Sequence, residues 1–515
     1  MTANLHKYQI DAVNFALTHP KCGLFLDLGL GKTLIALAVI ETLYQHETGH
    51  ILIIAPKAIA RATWVGEIKK WGINIPYKSL IVNEKGNDLS RQKRLALYQE
   101  AVNNPVRTIY FINRDLIADL VDNCPEINKQ KIWAYQTVIV DELQSFKSAS
   151  SARFKALKAV SPAINRFIGL TGTPTPNGVE DIWSQIFLMD NGMRLGKNIT
   201  TFRKWFMHPG YTNQQGIVCS WEPNPGAEAE IYRRISDTVI SMKNTQLQLP
   251  ALSFVKQSVQ MTQAQQKSYN QFLRTAVLEQ GDMTATASNI AVLTTKLQQL
   301  ASGTIYIVDE NGAPTKDYMQ IHEAKLERLK YIRENTNDNL LVAYYFQSDA
   351  DVIQRYCADN NIPCEIFDSN KADEYLERWN RNEIPLLLIQ PGSAGFGLNF
   401  QYASHTLIWY TLPFSLEEYL QTIGRLYRQG QNHTVYVHII MTEKTIDEKI
   451  HQMLLNKQTS MQALLDAVEF QDPNVPAANR DFNAIIQKAK SASFSFSEQV
   501  SLVNSVLSDI NTALR

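Results

Sequence analysis

The chain of 515 residues lacks several features that would mark it early as one kind of protein. It has no charge imbalance: 50 Lys and Arg face 50 Asp and Glu, for a formal net charge of +0. That excludes a protein holding nucleic acid by bulk charge, although not one with a local basic groove, because binding follows local potential. Cysteine is scarce. The five, Cys22, Cys124, Cys219, Cys357 and Cys364, include no C-x-x-C pair. Neither a structural zinc site nor a disulfide framework is expected, and the thiols read as buried groups in a reducing compartment. Long apolar runs are missing. The most apolar stretches, such as Ile51–Ala55 and Pro385–Ile389, are strand-sized, far short of the roughly 20 residues that span a bilayer. Met1–Lys7 has neither the basic stretch nor the apolar core of a signal peptide. No membrane partner is expected, and a cytoplasmic location is. Internal repeats are absent as well.

What is present is a rhythm. Strand-like runs at Cys22–Leu26, Ile51–Ala55, Thr108–Ile112, Thr137–Val140 and Arg166–Leu170 alternate with helical stretches, the first from Lys32 to about Tyr44. Continuous apolar strands separated by helices predict a parallel sheet covered on both faces. From about Asp190 to Ala324 the chain becomes rich in Gln, Asn and Thr, with long helical stretches at Gln263–Gln280 and Ile290–Ala301. That region is read as helical insertions plus a linker. The rhythm then resumes, with strands at Leu340–Phe346, Cys364–Phe367, Pro385–Ile389, His405–Tyr410 and Thr434–Ile440. Helices fit at Glu323–Ile332, Ala350–Cys357, Lys371–Arg378 and Leu416–Tyr427. The expected fold class is α/β: two parallel-sheet lobes with helical insertions between them. Residues 1–190 form lobe one, 191–321 the insertions and linker, 322–470 lobe two, and 471–515 a polar helical tail.

Three motifs carry chemistry. Asp27-Leu28-Gly29-Leu30-Gly31-Lys32-Thr33 lies between a strand and a helix. Glycines there let backbone N–H groups surround phosphate oxygens, and the helix N-terminus adds a positive dipole. Lys32 would meet the β- and γ-phosphates, and the Thr33 hydroxyl would ligate Mg²⁺. Leu26 stands where the common pattern has its first glycine. The second motif is Val138-Ile139-Val140-Asp141-Glu142, an apolar strand ending in two acids at the sheet edge where ligands sit in doubly wound folds. Asp141 would hold Mg²⁺ through water, and Glu142 would polarise the attacking water. The third is Gly424-Arg425-Leu426-Tyr427-Arg428-Gln429-Gly430-Gln431. Arg425 and Arg428, three apart, are expected on one helix face, where guanidinium groups stabilise charge on a transferring phosphoryl group.

Taken in order, these residues resemble a superfamily-two helicase core and, more narrowly, the Swi/Snf-type family of DNA-dependent ATPases, from Leu5 to about Glu448. Leu5-His6-Lys7-Tyr8-Gln9 is similar to the segment that reads adenine, with Gln9 the base contact. Ile53-Ile54-Ala55-Pro56-Lys57 is followed by the family's Trp64, Glu67 and Trp71 spacing. Leu170-Thr171-Gly172-Thr173-Pro174, then Asn177, resembles the segment coupling ATP to nucleic acid. Met261-Thr262 with Gln265 and Tyr269, and Gln298-Gln299-Leu300-Ala301-Ser302-Gly303, match landmarks of the insertion region. Gly395-Phe396-Gly397-Leu398-Asn399 and Gln421 to Gln431 resemble motifs five and six. Two departures stand out: Leu143-Gln144 follows the acid pair where the family has His, and Tyr427 replaces another His.

The resemblance implies two RecA-like lobes, ATP and Mg²⁺ as cofactors, and Arg425 and Arg428 as arginine fingers. It adds Gln144, Gly397 and Gln421 to the nucleotide contacts. Lys57, Asn113, Arg114, Thr171, Ser393 and Lys147 become the candidates for gripping a phosphodiester backbone. The basic clusters at Lys69–Lys70 and Arg91–Lys93–Arg94 read as solvated helix faces, and Trp205 and Trp221 as packing. A monomeric motor on duplex or branched DNA is the leading expectation, in a short phage- or bacterial-like member of the family (in a host cytoplasm, if phage-encoded). Protein partners would use the insertions or the tail. A strand-separating helicase on single-stranded DNA or RNA, and a partner-gated nucleotide-dependent binding module, stay open beside it.

Overall fold

The computed structural model describes residues 5–127, 130–210, 212, 216–243, 249–281, 287–308, 314–392 and 398–469. The chain forms two compact units. The first is built on strands β1 (Lys21–Leu26), β2 (His50–Ala55), β3 (Tyr77–Ser79), β4 (Ile109–Asn113), β7 (Tyr135–Asp141), β8 (Arg166–Thr171) and β11 (Val239–Met242). They make one seven-stranded sheet in the order β11-β1-β8-β7-β2-β4-β3, parallel throughout. The short pairs β5 (Glu126–Ile127) with β6 (Gln130–Lys131), and β9 (Met207–Pro209) with β10 (Trp221–Pro223), are separate ribbons.

Every residue of β2, β4 and β8 is buried, as a sheet covered on both faces demands. The helix Lys32–Leu43 that follows β1 is buried continuously from Leu34 to Ile40. It has no polar stripe because it is enclosed on all sides, and each such Leu or Ile contributes roughly 1.5–3 kcal/mol. The central order β1-β8-β7-β2 has a functional result. The loops leaving these four neighbours at their C-terminal ends hold Asp27–Thr33, Thr171–Pro174, Asp141–Glu142 and the segment from Pro56 to Trp64. Motifs far apart in sequence are thus gathered along one sheet edge.

The second unit carries β12 (Leu252–Val259), β15 (Leu340–Ala343), β16 (Cys364–Ile366), β17 (Leu386–Ile389), β18 (Thr406–Trp409) and β19 (Val435–Thr442). These form a six-stranded parallel sheet in the order β12-β19-β18-β15-β17-β16. An antiparallel hairpin, β13 (Thr304–Val308) with β14 (Pro314–Gln320), stands apart from it. The core under the sheet joins Leu326, Leu329 and Ile332 of the helix Ala324–Glu334 to Leu340, Val342, Ile353, Leu388 and Ile408. A buried ion pair runs through this unit. Lys325 Nζ lies 2.8 Å from Asp447 Oδ2, both almost fully enclosed, and also donates to the Tyr410 carbonyl at 3.0 Å. Family landmarks take part in the same polar interior. The Ser302 hydroxyl contacts Asp349 at 2.6 Å and Thr411 at 2.8 Å, Gln298 donates to the Leu412 carbonyl, and the Tyr269 hydroxyl accepts the Ile446 N–H.

The region 191–321, expected to hold helical insertions and a linker, holds its helices and strands as well. It supplies an edge strand to each sheet, β11 and β12, besides its helices. β11 is only four residues long, and β12 mixes Ser, Lys and Gln into its apolar positions, so neither shows the continuous run that marks the central strands. In the first unit β11 is covered by residues 465–469. Ser241 N–H donates to the Val468 carbonyl, its hydroxyl donates to Leu465, and Lys243 pairs with Asp466 and Glu469 at 2.9 and 3.1 Å. Covering an edge in this way removes a template for unwanted strand pairing. The helix expected over Leu416–Tyr427 ends at Ile423, with Gly424 at its C-cap. Arg425 and Arg428 therefore lie in successive turns, not on a shared helix face. Cys22, Cys124 and Cys357 are buried, but Cys219 is exposed and Cys364 half-buried. Trp205 is half exposed, with the Arg234 guanidinium 5.7 Å from its ring centroid. The tail 471–515 lies outside the described residues. Among the described residues, no helix is long and apolar enough to cross a membrane.

Candidate nucleotide site

The loop after β1 turns back at Gly29 and Gly31, with φ of 86° and 75°. Gly31 caps the helix Lys32–Leu43 in the left-handed region, which glycine enters at no steric cost. It also allows a close approach: a Cβ there would lie 2.7 Å from Gln9 Nε2. Gln9 is buried on the helix Lys7–Thr18. Its amide donates to the Leu30 carbonyl at 3.3 Å, and its oxygen accepts the His6 N–H at 3.0 Å. The residue expected to read the base thus touches the loop expected to hold the phosphates. Lys32 Nζ donates to the carbonyls of Leu26 (3.0 Å) and Asp27 (3.4 Å). Leu26 itself is fully buried as the last residue of β1. Its departure from the glycine pattern changes a side chain inside the sheet and leaves the turn to Gly29 and Gly31. Thr33 sits in the first helical turn. Gly172 lies against Lys32 Nζ and the Leu26 carbonyl, so the Thr171–Pro174 segment borders the loop.

The acid pair is enclosed. Asp141 accepts the Trp64 indole N–H on Oδ2 at 3.1 Å and the Glu142 backbone N–H on Oδ1 at 3.1 Å. Burial and the neighbouring Glu142 charge hold its pKa well above the usual carboxylate range, opposed by the Lys32 ammonium. Glu142 has a positive φ of 56°, uncommon for a side chain with a Cβ and costing about 1–3 kcal/mol. Its side chain does not end the chain of contacts. Gln144 Nε2 donates to Glu142 Oε2 at 2.6 Å, the Thr171 hydroxyl donates to Gln144 Oε1 at 2.6 Å, and the Thr173 N–H donates to Thr171 Oγ1 at 3.0 Å. Three bonds therefore join the acid pair to the segment after β8. The geometry depends on Gly169 in β8, where a Cβ would collide with Leu143 Cδ2. Leu143 packs into that gap and seats Gln144 beside Thr171.

The remaining predicted residues are spread more widely. Thr171 is fully buried and tied to Gln144, which puts it in the relay, not on an exposed groove. Asn113 ends β4 and is largely buried, its Oδ1 without a hydrogen-bond partner among the described residues. Arg114 follows it in a short 3₁₀ turn. Lys57 is half exposed and paired with Asp88 at 2.7 Å. In the second unit, Arg425 is buried and its carbonyl accepts the Phe400 N–H, while Arg428 Nη1 donates to the Leu398 carbonyl at 3.2 Å. The end of motif five is thus bonded to motif six. Gln431 anchors that loop, donating to the Gln401 and Ser404 carbonyls. Gln421 sits one turn from Glu417 on the same helix. Ser393 and Gly397 lie outside the described residues. Sequence reasoning did not find the Trp64–Asp141 contact or the role of Leu143; the Trp64 spacing was visible, but not what the indole touches.

Two parallel-sheet units, with a glycine turn opening onto a helix, a buried acid pair and the Thr171–Pro174 segment on adjacent strand ends of the first, are the arrangement of a P-loop ATPase of the two-lobed helicase class. Two family models agree. The SNF2-related domain matches residues 8–303, and the helicase conserved C-terminal domain matches residues 324–430. The chain is 30% identical to protein p41 of Acyrthosiphon pisum secondary endosymbiont phage 1, over 90% of this chain and 98% of that one. It is 24% identical to the chromatin remodeling factor mit1 of Schizosaccharomyces pombe, over 95% of this chain but only 35% of that protein. Among solved structures it is similar to the Sulfolobus solfataricus SWI2/SNF2 ATPase core in complex with dsDNA, at 20% identity, with 91% and 97% of the two chains covered and a TM-score of 0.39. The chain belongs to the SNF2-related family of ATP-dependent helicases and translocases.

Proposed function

We propose that this ATPase is a translocase that hydrolyses ATP to move along duplex or branched DNA. The observation that carries the reading is the hydrogen-bonded relay from Glu142 through Gln144 and Thr171 to Thr173. A motor must link the group that activates water to the elements that grip its track, and this relay leads from one to the other. The Asp27–Thr33 loop and Lys32 would bind the phosphates, Gln9 the base, and Glu142 would orient the attacking water. The donor set suits Mg²⁺: a hydroxyl at the helix start and a buried carboxylate held by N–H donors. Mg²⁺ bound there would neutralise charge developing on the phosphates. Arg425 and Arg428 are proposed as the guanidinium groups that stabilise the transferring phosphoryl, with Gln144, Gln421 and Gly397 as further nucleotide contacts. Lys57, Asn113, Arg114 and Ser393 are proposed for the DNA track; Thr171, fully buried, serves the relay through Gln144 instead.

The test is steady-state ATP hydrolysis with no nucleic acid, duplex DNA, single-stranded DNA, a four-way junction and RNA. Stimulation greatest with duplex or junction supports the proposal. A preference for single strands or RNA replaces it with strand separation. No stimulation by any of them turns the assignment toward a partner-gated module. DNA binding should also weaken steeply with salt as counterions are released.

A further inference from the structure

We infer that Trp64 is a positioning residue for Asp141, fixing the orientation of the carboxylate that would hold Mg²⁺; this rests on the nucleotide-site reading above. The argument begins with the torsion of a short acid. The terminal torsion of Asp is broad and two-fold, so a carboxylate held by one donor can swing. Asp141 is held by two, one on each oxygen. The bond to Oδ1 is local, coming from the N–H of the next residue. The bond to Oδ2 comes from Trp64 on a different element and is the one that removes the remaining freedom. A buried carboxylate also needs such donors on energetic grounds, because a buried acceptor left unmet carries the whole cost of its desolvation.

The chain is shaped to deliver that indole. Trp64 follows β2, and β2 lies beside β7, which ends in Asp141. Between the two comes a π-turn over Ile59–Thr63, closed by the Trp64 N–H on the Ile59 carbonyl. A π-turn adds one residue to a helical turn, which rotates everything after it by roughly 100° relative to an uninterrupted α-helix. The rotation brings Trp64 inward, fully buried, while its neighbours Thr63 and Val65 remain partly exposed. π-turns are rare and recur at functional sites. Here the turn selects which of three adjacent side chains faces the acid.

The test compares the wild type with Trp64→Phe, Asp141→Asn and the double variant. Each is titrated with Mg²⁺ at a fixed, sub-saturating concentration of a fluorescent ATP analogue, and ATP turnover is measured over the same Mg²⁺ range. Trp64→Phe should need roughly 10-fold more Mg²⁺ for both binding and turnover, the low end of the cost of losing an outer partner of a metal site, because Asp141 would reach the metal through water. Its kcat should recover at high Mg²⁺, and its nucleotide affinity without Mg²⁺ should stay unchanged. The double variant should titrate like Asp141→Asn alone. A Trp64→Phe protein that titrates like the wild type overturns the inference. An Asp141→Asn protein that titrates like the wild type overturns instead the assignment of Asp141 to the metal. Should Trp64→Phe not fold, position 64 can carry benzothienylalanine by nonsense suppression. That residue keeps the shape of tryptophan and removes only the N–H, and the same two outcomes apply.

Discussion

Two buried carboxylates, one in each unit, sit in opposite settings. In the first, Asp141 is met by N–H donors, the Trp64 indole and a backbone amide, and its proton affinity is raised by burial and by Glu142. In the second, Asp447 lies 2.8 Å from the Lys325 ammonium, with the Thr442 N–H also on Oδ2 at 3.0 Å. Both lie close to the end of a strand in a parallel sheet. An acid already neutralised by a fixed lysine holds its surroundings together and has little to offer a ligand. An acid held by neutral donors can instead be met by a cation that arrives with a ligand, and perturbed carboxylates cluster at functional sites.

The sharpest way to break that contrast is to neutralise one acid in the first unit and one cation in the second. Glu142→Gln should lower turnover by roughly 10²–10⁴-fold, the usual loss with a general base, while leaving the melting temperature close to that of the wild type. Lys325→Met should do the reverse. It should destabilise the protein by roughly 3–5 kcal/mol, because it strands a buried charge, and leave nucleotide affinity unchanged at temperatures where the protein is folded. Denaturant melts beside nucleotide titrations read both, and a turnover loss from Lys325→Met without a stability loss would contradict the division. A smaller effect should follow from cutting the relay. Gln144→Ala should reduce stimulation by DNA by roughly 2- to 30-fold, the range of coupling energies carried by such networks, with a lesser effect on basal hydrolysis. An equal fall in both rates would place Gln144 in the chemistry itself. The smallest effect lies at the surface. Hydrogen bonds from Arg233 and Arg234 pull the Glu230 pKa from the ordinary 4.5 down to about 2. The stability this pairing contributes is therefore present above pH 4.5 and lost as pH falls toward 2. The group is partly solvated, so the advantage over Glu230→Gln should be below about 1 kcal/mol. It should close over that window in melts at stepped pH.

How much of this was legible in the sequence depended on the length scale of the signal. The central strands were readable because each is a continuous apolar run bounded by turns. The edge strands β3, β11 and β12 were not, being short or polar on one side. The loop from Asp27 to Thr33 and the acids Asp141 and Glu142 were readable because their chemistry is local to a few residues. Contacts made across the fold left no such trace: Trp64 with Asp141, Gln144 with Thr171, Lys325 with Asp447. The one-residue π-turn at Ile59–Thr63 is likewise silent in a pattern of period 3.6. The fate of Arg425 and Arg428 was misread for a related reason. The apolar periodicity of the helix Leu416–Ile423 runs on past Gly424, where the backbone leaves the helix.

The gap at Gly169 has a consequence for protein engineering. Leu143 and Gly169 are complementary shapes on neighbouring segments, and the position of Gln144 depends on their fit. A segment bearing a different residue at 143, grafted in from another member of the family, would arrive without its counterpart. A chimera that exchanges the stretch from Val138 to Phe146 should therefore also exchange Arg166–Thr171. The two pieces form one transplantable module, though the chain separates them with an entire helix.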